Sequence, residues 1–422
     1  MKALVIGGGI GGLATALSLH QAGIDVVVFE AVREIGALGV GINLQPNAVR
    51  ELTELGLGDA LGRTGIPTSA LAYYNKHGQR IWSEPRGREA GYHWPQYSIH
   101  RGELLMLLAR AVRERLGESS IRCGHQLTSF EQDASGVTAH FIDRRSGAGL
   151  ASARGDILIG ADGIHSAVRA QLYPNEGEPR FCGQMMWRAA VESSPYLDGR
   201  THAITGHRDQ KFLVYPMSAN SRERGRSLIN WIAELTVPGP TPRADWSKQV
   251  EKDVFAKAFA EWRFPWLDVP ALIEATESVF EFPKVDRDPI DRWSFGRVTL
   301  IGDAAHAMLP IGSQAGSQAI VDPRYLTRAL TQESTPEAAL ARYQAERLPA
   351  MNEITLRIRG LGQEIVMEMA EERAPNGFDR IEDVIPNEEM ARLSAEFKRA
   401  AGLDREHVNS RAPIVPKSLR VN

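Results

Sequence analysis

The stretch that most constrains this chain lies directly behind its first strand. Lys2 to Ile6 is a short apolar run, and Gly7-Gly8-Gly9-Ile10-Gly11-Gly12 follows at once. Gly7, Gly9 and Gly12 hold the three fixed places of a G-x-G-x-x-G. A helical stretch with Leu13, Leu17 and Leu19 ends at Gly23, and a second apolar run, Asp25 to Phe29, closes on Glu30. Strand, glycine turn, helix, strand and acid make up the full dinucleotide-binding pattern. Gly7 permits the tight turn, Gly9 lets the backbone approach a pyrophosphate, and Gly12 lets the helix pack on the sheet. The helix start, including the N–H groups of Ile10 and Gly11, offers partial positive charge to phosphates. Glu30 stands 18 residues past Gly12, where a carboxylate accepts from both hydroxyls of an adenosine ribose and repels a 2′-phosphate. FAD or NAD is the nucleotide expected there, not NADP.

A chain of 422 residues has room for two or three domains, and 43% hydrophobic with 24% charged residues suits a globular fold. The net charge of −3 argues against a general attraction to nucleic acid or acidic membranes. Cys123 and Cys182 are too few for a disulfide framework and lie in no Cys/His cluster, so no metal site is expected. No secretory signal and no run of ~20 apolar residues is evident, and a cytoplasmic location is expected.

Further along, Gly36, Gly39 and Gly41 allow either a backbone laid flat against a partner or a mobile loop. Pro46 to Leu55 reads as a helix stopped by Gly56. Ala70 to Tyr74 and Arg80 to Trp82 read as strands. Ser98 is the expected cap of a helix running to Leu116 and ended by Gly117. Arg101 falls in its first turn, where a cation opposes the helix dipole unless an anion is near. Ile157 to Ile159 is a buried strand leading into Gly160-Ala161-Asp162-Gly163. Met185 to Ala190, Phe212 to Pro216 and Leu228 to Ala233 read as an inserted sheet. Its Trp187, Tyr215 and Trp231 are candidate walls for an aromatic ligand, though alternation turns some of them away. Residues 236 to 283 read as a Pro- and Trp-rich loop plus a helix from about Val250. Val298 to Ile301 is another buried strand, ending in Gly302-Asp303-Ala304-Ala305-His306. Helices are expected over Gly312 to Leu330, Ala338 to Arg347 and Ile354 to about Arg373. From Ala374 a peripheral helix and a loose end are expected.

Three motifs stand in order: Gly7 to Gly12 with Glu30; Asp156 to Gly163 with Ser166 and Arg169; and Gly302 to His306 with Pro310 and Gly312. Together they resemble the class A flavoprotein aromatic hydroxylases, the family of para-hydroxybenzoate and salicylate hydroxylase, over residues 1 to about 350. Gly39 to Pro46, Trp82 to Gly87, Pro95 to Glu103 and Gly163 to Arg169 are similar to the phenazine-hydroxylating, pyocyanin-forming branch. The resemblance implies an α/β fold: a Rossmann-like FAD-binding domain over 1–180 and 280–370, an inserted β-sheet substrate domain over 181–279, and a C-terminal helical tail over 371–422. Residues 70–98 are expected to join the substrate sheet.

The resemblance also implies roles. FAD is bound non-covalently by Gly7, Gly9, Ile10, Gly11, Gly12, Glu30, Gly41, Arg101, Leu127, Asp162, Asp303 and Gly316. Arg101 meets the pyrophosphate, Asp303 the ribityl chain, and Asp162 serves both FAD and the pyridine nucleotide. Pro310, Gly312, Ala315 and Gly316 pass beside the flavin. NADH or NADPH reduces FAD, O₂ adds to give a C4a-hydroperoxyflavin, and a small aromatic or heteroaromatic substrate, phenazine-like or an aromatic acid, is hydroxylated. No catalytic protein side chain is required, and His306 and His100 are taken as structural. Monomer and homodimer both stay open. The run after Pro310 departs from the family: Ala315 stands where a glycine often adopts an unusual backbone angle, with Gly316 the expected substitute, and Pro323 interrupts the helix. A halogenase or dehydrogenase on the same scaffold is a rival, although the halogenase Trp-x-Trp-x-Ile-Pro is absent. A flavin-binding sensor or carrier without turnover is another.

Overall fold

The computed structural model describes residues 1–37, 39–239 and 248–420. Part of the Pro- and Trp-rich loop, residues 240–247, lies outside the described residues. The chain opens with β1 (Lys2–Ile6), α1 (Ile10–Gln21) and β2 (Asp25–Glu30). Then come β3 (Gly41–Leu44), α2 (Pro46–Glu54), β4 (Ala70–Tyr74), β5 (Arg80–Pro85), β6 (Tyr97–His100) and α3 (Arg101–Leu116). β7 (Ile121–Cys123) precedes an antiparallel three-stranded sheet within residues 125–155, and β8 (Ile157–Gly160) follows it. β9 (Arg180–Ser193), β10 (His202–Gly206), β11 (Gln210–Pro216), β12 (Ser227–Thr236), β13 (Val279–Asp286) and β14 (Val298–Leu300) come next. The chain then turns helical in α4 (Ala315–Gln332), α5 (Pro336–Arg359), α6 (Ile365–Arg373), α7 (Asn387–Ala400) and α8 (Arg405–Ser410).

β14, β8, β1, β2 and β7 form a parallel sheet in that order, with a short antiparallel strand, Ser294–Phe295, outside β14. The strands are nearly continuous Val, Ile and Leu because both faces are covered. β1 lies at the centre, so the glycine turn and the loops after β8 and β14 leave the same edge of the sheet. α1 packs on α4, where the Ser18 hydroxyl lies 2.8 Å from that of Thr327.

The second large sheet runs β13, β9, β12, β11, β10, β4, β5, with the short strand Gln249–Val250 outside β13. β4 and β5, sequence-distant from the rest, extend its edge, whereas Tyr97 and Ser98 pair with β3 in a separate small sheet. β13 also belongs here, through antiparallel pairing such as Met186 with Phe282, although the sequence division assigned residues from 280 onward to the nucleotide-binding part. The two faces of this sheet bury different neighbours. Met185, Trp187, Phe212, Val214 and Trp231 pack under Phe255, Phe259 and Trp262. Met186, Leu213, Ile232, Ile204 and Tyr73 pack with Val366, Met367 and Ala370 of α6.

Several expectations are corrected. Ser98 is a strand residue whose hydroxyl donates to Asn43 Oδ1 (2.5 Å); α3 begins at Arg101 and is capped by the His100 ring, which accepts from the Glu103 N–H (3.3 Å). The helix expected from Val250 is two 3₁₀ turns, Lys252–Val254 and Ala256–Phe259, and a short helix, Val269–Glu274. The helix from Ile354 breaks after Arg359, where Leu361 and Gly362 take positive φ (71° and 51°). α4, in contrast, runs through Pro323.

The C-terminal tail is not loose. Arg50 donates to the carbonyls of Val408 (2.7 Å) and Arg411 (2.6 Å), and Arg420 pairs with Glu54 (2.6 Å). Phe397 of α7 packs against Gly312 and Gly362, where a Cβ would lie 2.5 and 2.8 Å from its ring. No helix among the described residues is long and apolar enough to cross a membrane.

Candidate active site

Three loops meet at the C-terminal edge of the parallel sheet. Gly7 has φ +106°, and a Cβ on it would lie 2.4 Å from the Ala161 carbonyl oxygen. A Cβ on Gly12 would lie 1.9 Å from the Gly7 oxygen, so these two glycines are fixed by the protein's own packing. Gly9 differs: nothing lies within 4 Å of where its Cβ would be. The Glu30 carboxylate accepts from the N–H groups of Gly8 (2.6 Å) and Val32 (2.9 Å), which sets it beside the turn.

After β8, Asp162 accepts from the Ser166 hydroxyl (2.5 Å) and the Val168 N–H (3.2 Å). Burial pushes its carboxyl up, and these donors pull it back. Arg169 is buried and donates to the carbonyls of Ala304 and Ala305, both at 3.0 Å. It thereby ties the second motif to the third. In that third motif Gly302 takes φ +55°, and its N–H donates to Asp322 Oδ2 (2.9 Å). Asp322 also receives His306 Nε2 (2.7 Å) and two bonds from Arg347 (2.9 and 2.8 Å). Burial alone would raise Asp322, but His306, Arg347 and the hydrogen bonds they and Gly302 donate hold it down at about 2. His306 is thus a buried hydrogen-bond partner of Asp322.

Arg101 and Asp303 are both exposed to solvent and close enough to interact. Burial pulls Arg101 below the ordinary arginine value, with Asp303 opposing that and Arg188 adding to it. Burial likewise pushes the Asp303 carboxyl up, against the pull of His306 and Arg101. A carboxylate and a guanidinium from opposite loops thus face one recess, each favouring the charged form of the other.

The loop after Pro310 corrects the expectation about glycine. Positive φ falls on Gly312 (68°) and Ser313 (56°), not on Ala315 or Gly316, which open α4 in helical conformation. A serine there costs of order 1 kcal/mol of backbone strain. Gly316 is needed for space instead, since its Cβ would lie 2.6 Å from Ile42 Cδ1. Pro310 is exposed at the loop's start. Leu127 is buried in the core, on a strand where it pairs with Phe141.

The aromatic candidates divide. Trp231 and Trp187 lie on the sheet face turned away from these loops. Trp231 Nε1 donates to Thr276 (2.9 Å), and Trp187 Nε1 donates to Glu281 (3.0 Å) while its ring stacks on Phe255 (5.1 Å between centroids). Both are core residues, which overturns them as pocket walls. Tyr215 lies on the other face, edge-on to His202 (4.9 Å) and next to Gly41. With it on that face are Arg188, Asn230 and His202, which the sequence reading missed. Strand parity offered the signal: Asn230 is the cross-strand partner of Tyr215, and residues two apart share a face. His202 is 6% exposed, and burial, with Arg86 adding, holds its imidazole down at about 3, so the ring is neutral.

The donor set fits a flavin dinucleotide: room at Gly9 for close approach, an acid beside the first turn, and a cation and an acid lining one recess. Residues 1–357 match the model of the FAD-binding-domain family. A phenazine 1,6-dicarboxylic acid hydroxylase of Lysobacter antibioticus is 45% identical over 350 residues, covering 82% of this chain and 86% of that protein. An FAD-dependent urate hydroxylase of Klebsiella pneumoniae is 32% identical over 371 residues, 85% and 89% of the two chains. The solved structure of Klebsiella pneumoniae HpxO with FAD and uric acid superposes with a TM-score of 0.73 at 27% identity, covering 97% of each chain. A salicylate hydroxylase substrate complex shares the fold, with a TM-score of 0.73 at 23% identity and 98% coverage of both. The chain belongs to the FAD-binding-domain family and is an FAD-dependent monooxygenase of the aromatic hydroxylase class.

Proposed function

We propose that this chain hydroxylates a polycyclic, nitrogen-containing aromatic of the phenazine type, with NAD(P)H and O₂ as co-substrates. The observation that carries this is the 45% identity with the Lysobacter phenazine dicarboxylate hydroxylase, spread over 82% of the chain. A face bearing Tyr215 with Arg188 suits a flat ring carrying a carboxylate. The cytoplasm, where reduced nicotinamide is at hand and free thiols such as Cys123 and Cys182 persist, is the proposed location.

The residues divide the work as follows. Gly9, Ile10, Gly11 and Gly12 approach the pyrophosphate at the start of α1, and Arg101 neutralises it from the start of α3. Glu30 accepts from the adenosine ribose, and Asp303 accepts from the ribityl hydroxyls. Asp162, held by Ser166, shapes the loop that both nucleotides pass. Gly312, Ala315 and Gly316 carry the N-terminus of α4 to the ring system, where its N–H groups favour negative charge. When bound, FAD accepts a hydride from NAD(P)H and activates O₂. Tyr215 and Arg188 orient the aromatic substrate, and the tail helices exclude water from behind the loop at Gly312.

The test is a screen of phenazine mono- and dicarboxylates beside single-ring aromatic acids. A phenazine acid should stimulate NAD(P)H oxidation and yield one hydroxylated product per NAD(P)H, with one atom from labelled O₂. Stimulation by single-ring acids only, or label found only in peroxide for every phenazine, overturns the assignment.

A further inference from the structure

Gly41 is gripped from across the recess by three neighbouring strands of the large sheet. Its N–H donates to Asn230 Oδ1 (2.7 Å), and its carbonyl accepts from Arg188 Nη2 (2.9 Å). A Cβ on Gly41 would lie 2.3 Å from Tyr215 Cε2 and 2.9 Å from Asn230 Cβ, so no other residue fits. Both backbone polar groups of one glycine are thus met by side chains far away in sequence. Asn230 is fully buried, and its Nδ2 has no hydrogen-bond partner among the described residues. An amide left half satisfied is a costly choice for a packing position. The Gly41 N–H also fixes which way the amide points, because only its oxygen can accept.

Gly41 in turn lies where two cofactor-facing residues are set. It pairs with His100 in the β3–β6 ladder, and the carbonyl of Val40 accepts the Arg101 N–H (2.8 Å). The side chain of Ile42 fills the space beside Gly316. A shift at Gly41 therefore moves the start of α3 on one side and the start of α4 on the other.

We propose that Asn230 and Arg188 are positioning residues for the cofactor: through Gly41 they hold Arg101 and Gly316 at the distance FAD requires. This rests on the roles assigned above to those two residues. It makes the substrate sheet part of the cofactor site, although none of the glycine or aspartate motifs lies in that sheet.

The test compares Asn230→Leu, which loses the acceptor, with Asn230→Asp, which keeps one beside the cation of Arg188. FAD affinity is read from the quenching of flavin fluorescence, together with the visible absorption band of the bound flavin and the melting temperature of the apoprotein. Asn230→Leu should weaken FAD at least tenfold and shift the band, while Asn230→Asp stays within threefold of the parent. Arg188→Met, at a half-buried position, should weaken FAD in the same direction, and Arg188→Lys should recover part of the loss. If Asn230→Leu and Arg188→Met bind FAD like the parent, or if Asn230→Asp is as weak as Asn230→Leu, the proposal is overturned. Arg101→Ala measured alongside separates the two readings. If it binds FAD normally, the role of Arg101 is wrong, and the Asn230 series is judged by the aspartate rescue alone.

Discussion

The parallel sheet and the large antiparallel sheet present their functional residues by different rules. Around β1 and β2 the groups that matter sit within a short span of chain, and covalent geometry brings them together. Gly7, Gly9, Gly12 and Glu30 are placed by one turn, one helix and one strand. In the large sheet no short span is informative. Arg188, His202, Tyr215 and Asn230 come from four strands and meet only because the register sets them on one face. Local motifs report what is bound; cross-strand parity reports which side of a sheet meets it.

The sharpest break in that comparison comes from the two tryptophans. Trp231 has 0% exposure and packs with Phe212 and Phe255, so Trp231→Ala should cost about 3–5 kcal/mol of stability, as large cavities in cores do. FAD affinity and substrate KM of the folded fraction should stay put. Tyr215→Phe should do the reverse: little change in melting temperature, but an altered KM for the aromatic substrate. Denaturant melts and steady-state kinetics on both variants check this. A changed KM in Trp231→Phe, with Tyr215→Phe silent, would put the substrate on the wrong face here.

Asp303→Ala comes next in size. It removes a charged acceptor from the recess, and FAD binding should weaken by about 1.5–3 kcal/mol, roughly ten- to a hundredfold. Because burial already pushes that carboxyl up, the apoprotein should lose no stability, and Asp303→Asn should retain part of the affinity. Titration of the apoprotein with FAD decides it; unchanged affinity in Asp303→Ala removes this residue from the site.

Two glycines separate packing from ligand approach. Gly41→Ala drives a methyl into Tyr215, and overpacking of this kind costs about 1–3 kcal/mol, so the apoprotein should melt lower. Gly9→Ala meets no protein atom within 4 Å, so the apoprotein should melt as before while FAD binding falls. If Gly9→Ala leaves FAD affinity intact, the space beside Gly9 is not where the pyrophosphate runs.

These contrasts also explain what was legible in the sequence. The first motif, the two aspartate motifs, β1, β2, β8 and β14 of the parallel sheet and β4, β5, β9, β11 and β12 of the large one could be read because apolar runs and glycine spacing are local; β7, β10 and β13 were missed. Ser98 misled because it precedes a helical pattern and has the right chemistry for a cap, yet β3 claims it as a strand partner through Asn43 and the cap falls to His100. The tail misled because its order comes from distant partners: Arg50, Glu51 and Glu54 of α2 hold residues 408–420 by hydrogen bonds and ion pairs that no periodicity announces. At Ala315 the family pattern pointed to missing glycine freedom, but the unusual backbone had moved to Ser313. Tyr215 was found among three aromatics without a way to choose, since parity is defined only once a register is known.

A pH-dependent effect of similar size to that at Gly41 concerns His202, and it tests whether the Tyr215 face is as dry as its packing indicates. The ring is 6% exposed, its Nε2 has no partner among the described residues, and Arg86 lies near enough to disfavour a second positive charge. In the folded protein the imidazole takes up a proton only near about 3, whereas in the unfolded chain it does so at the ordinary histidine value of about 6.5. Between those two values the unfolded state binds the extra proton, so stability falls as pH falls through that window and is unaffected above it. From pH 7 to pH 5 this one group should remove about 2 kcal/mol. His202→Gln carries no such proton, so its stability should decline less over the same interval, by about that amount. Urea melts of both proteins at pH 7 and pH 5 measure the difference. Parallel declines would mean that the ring is protonated with ease in the folded state, and that water reaches the face on which Tyr215 and Asn230 lie.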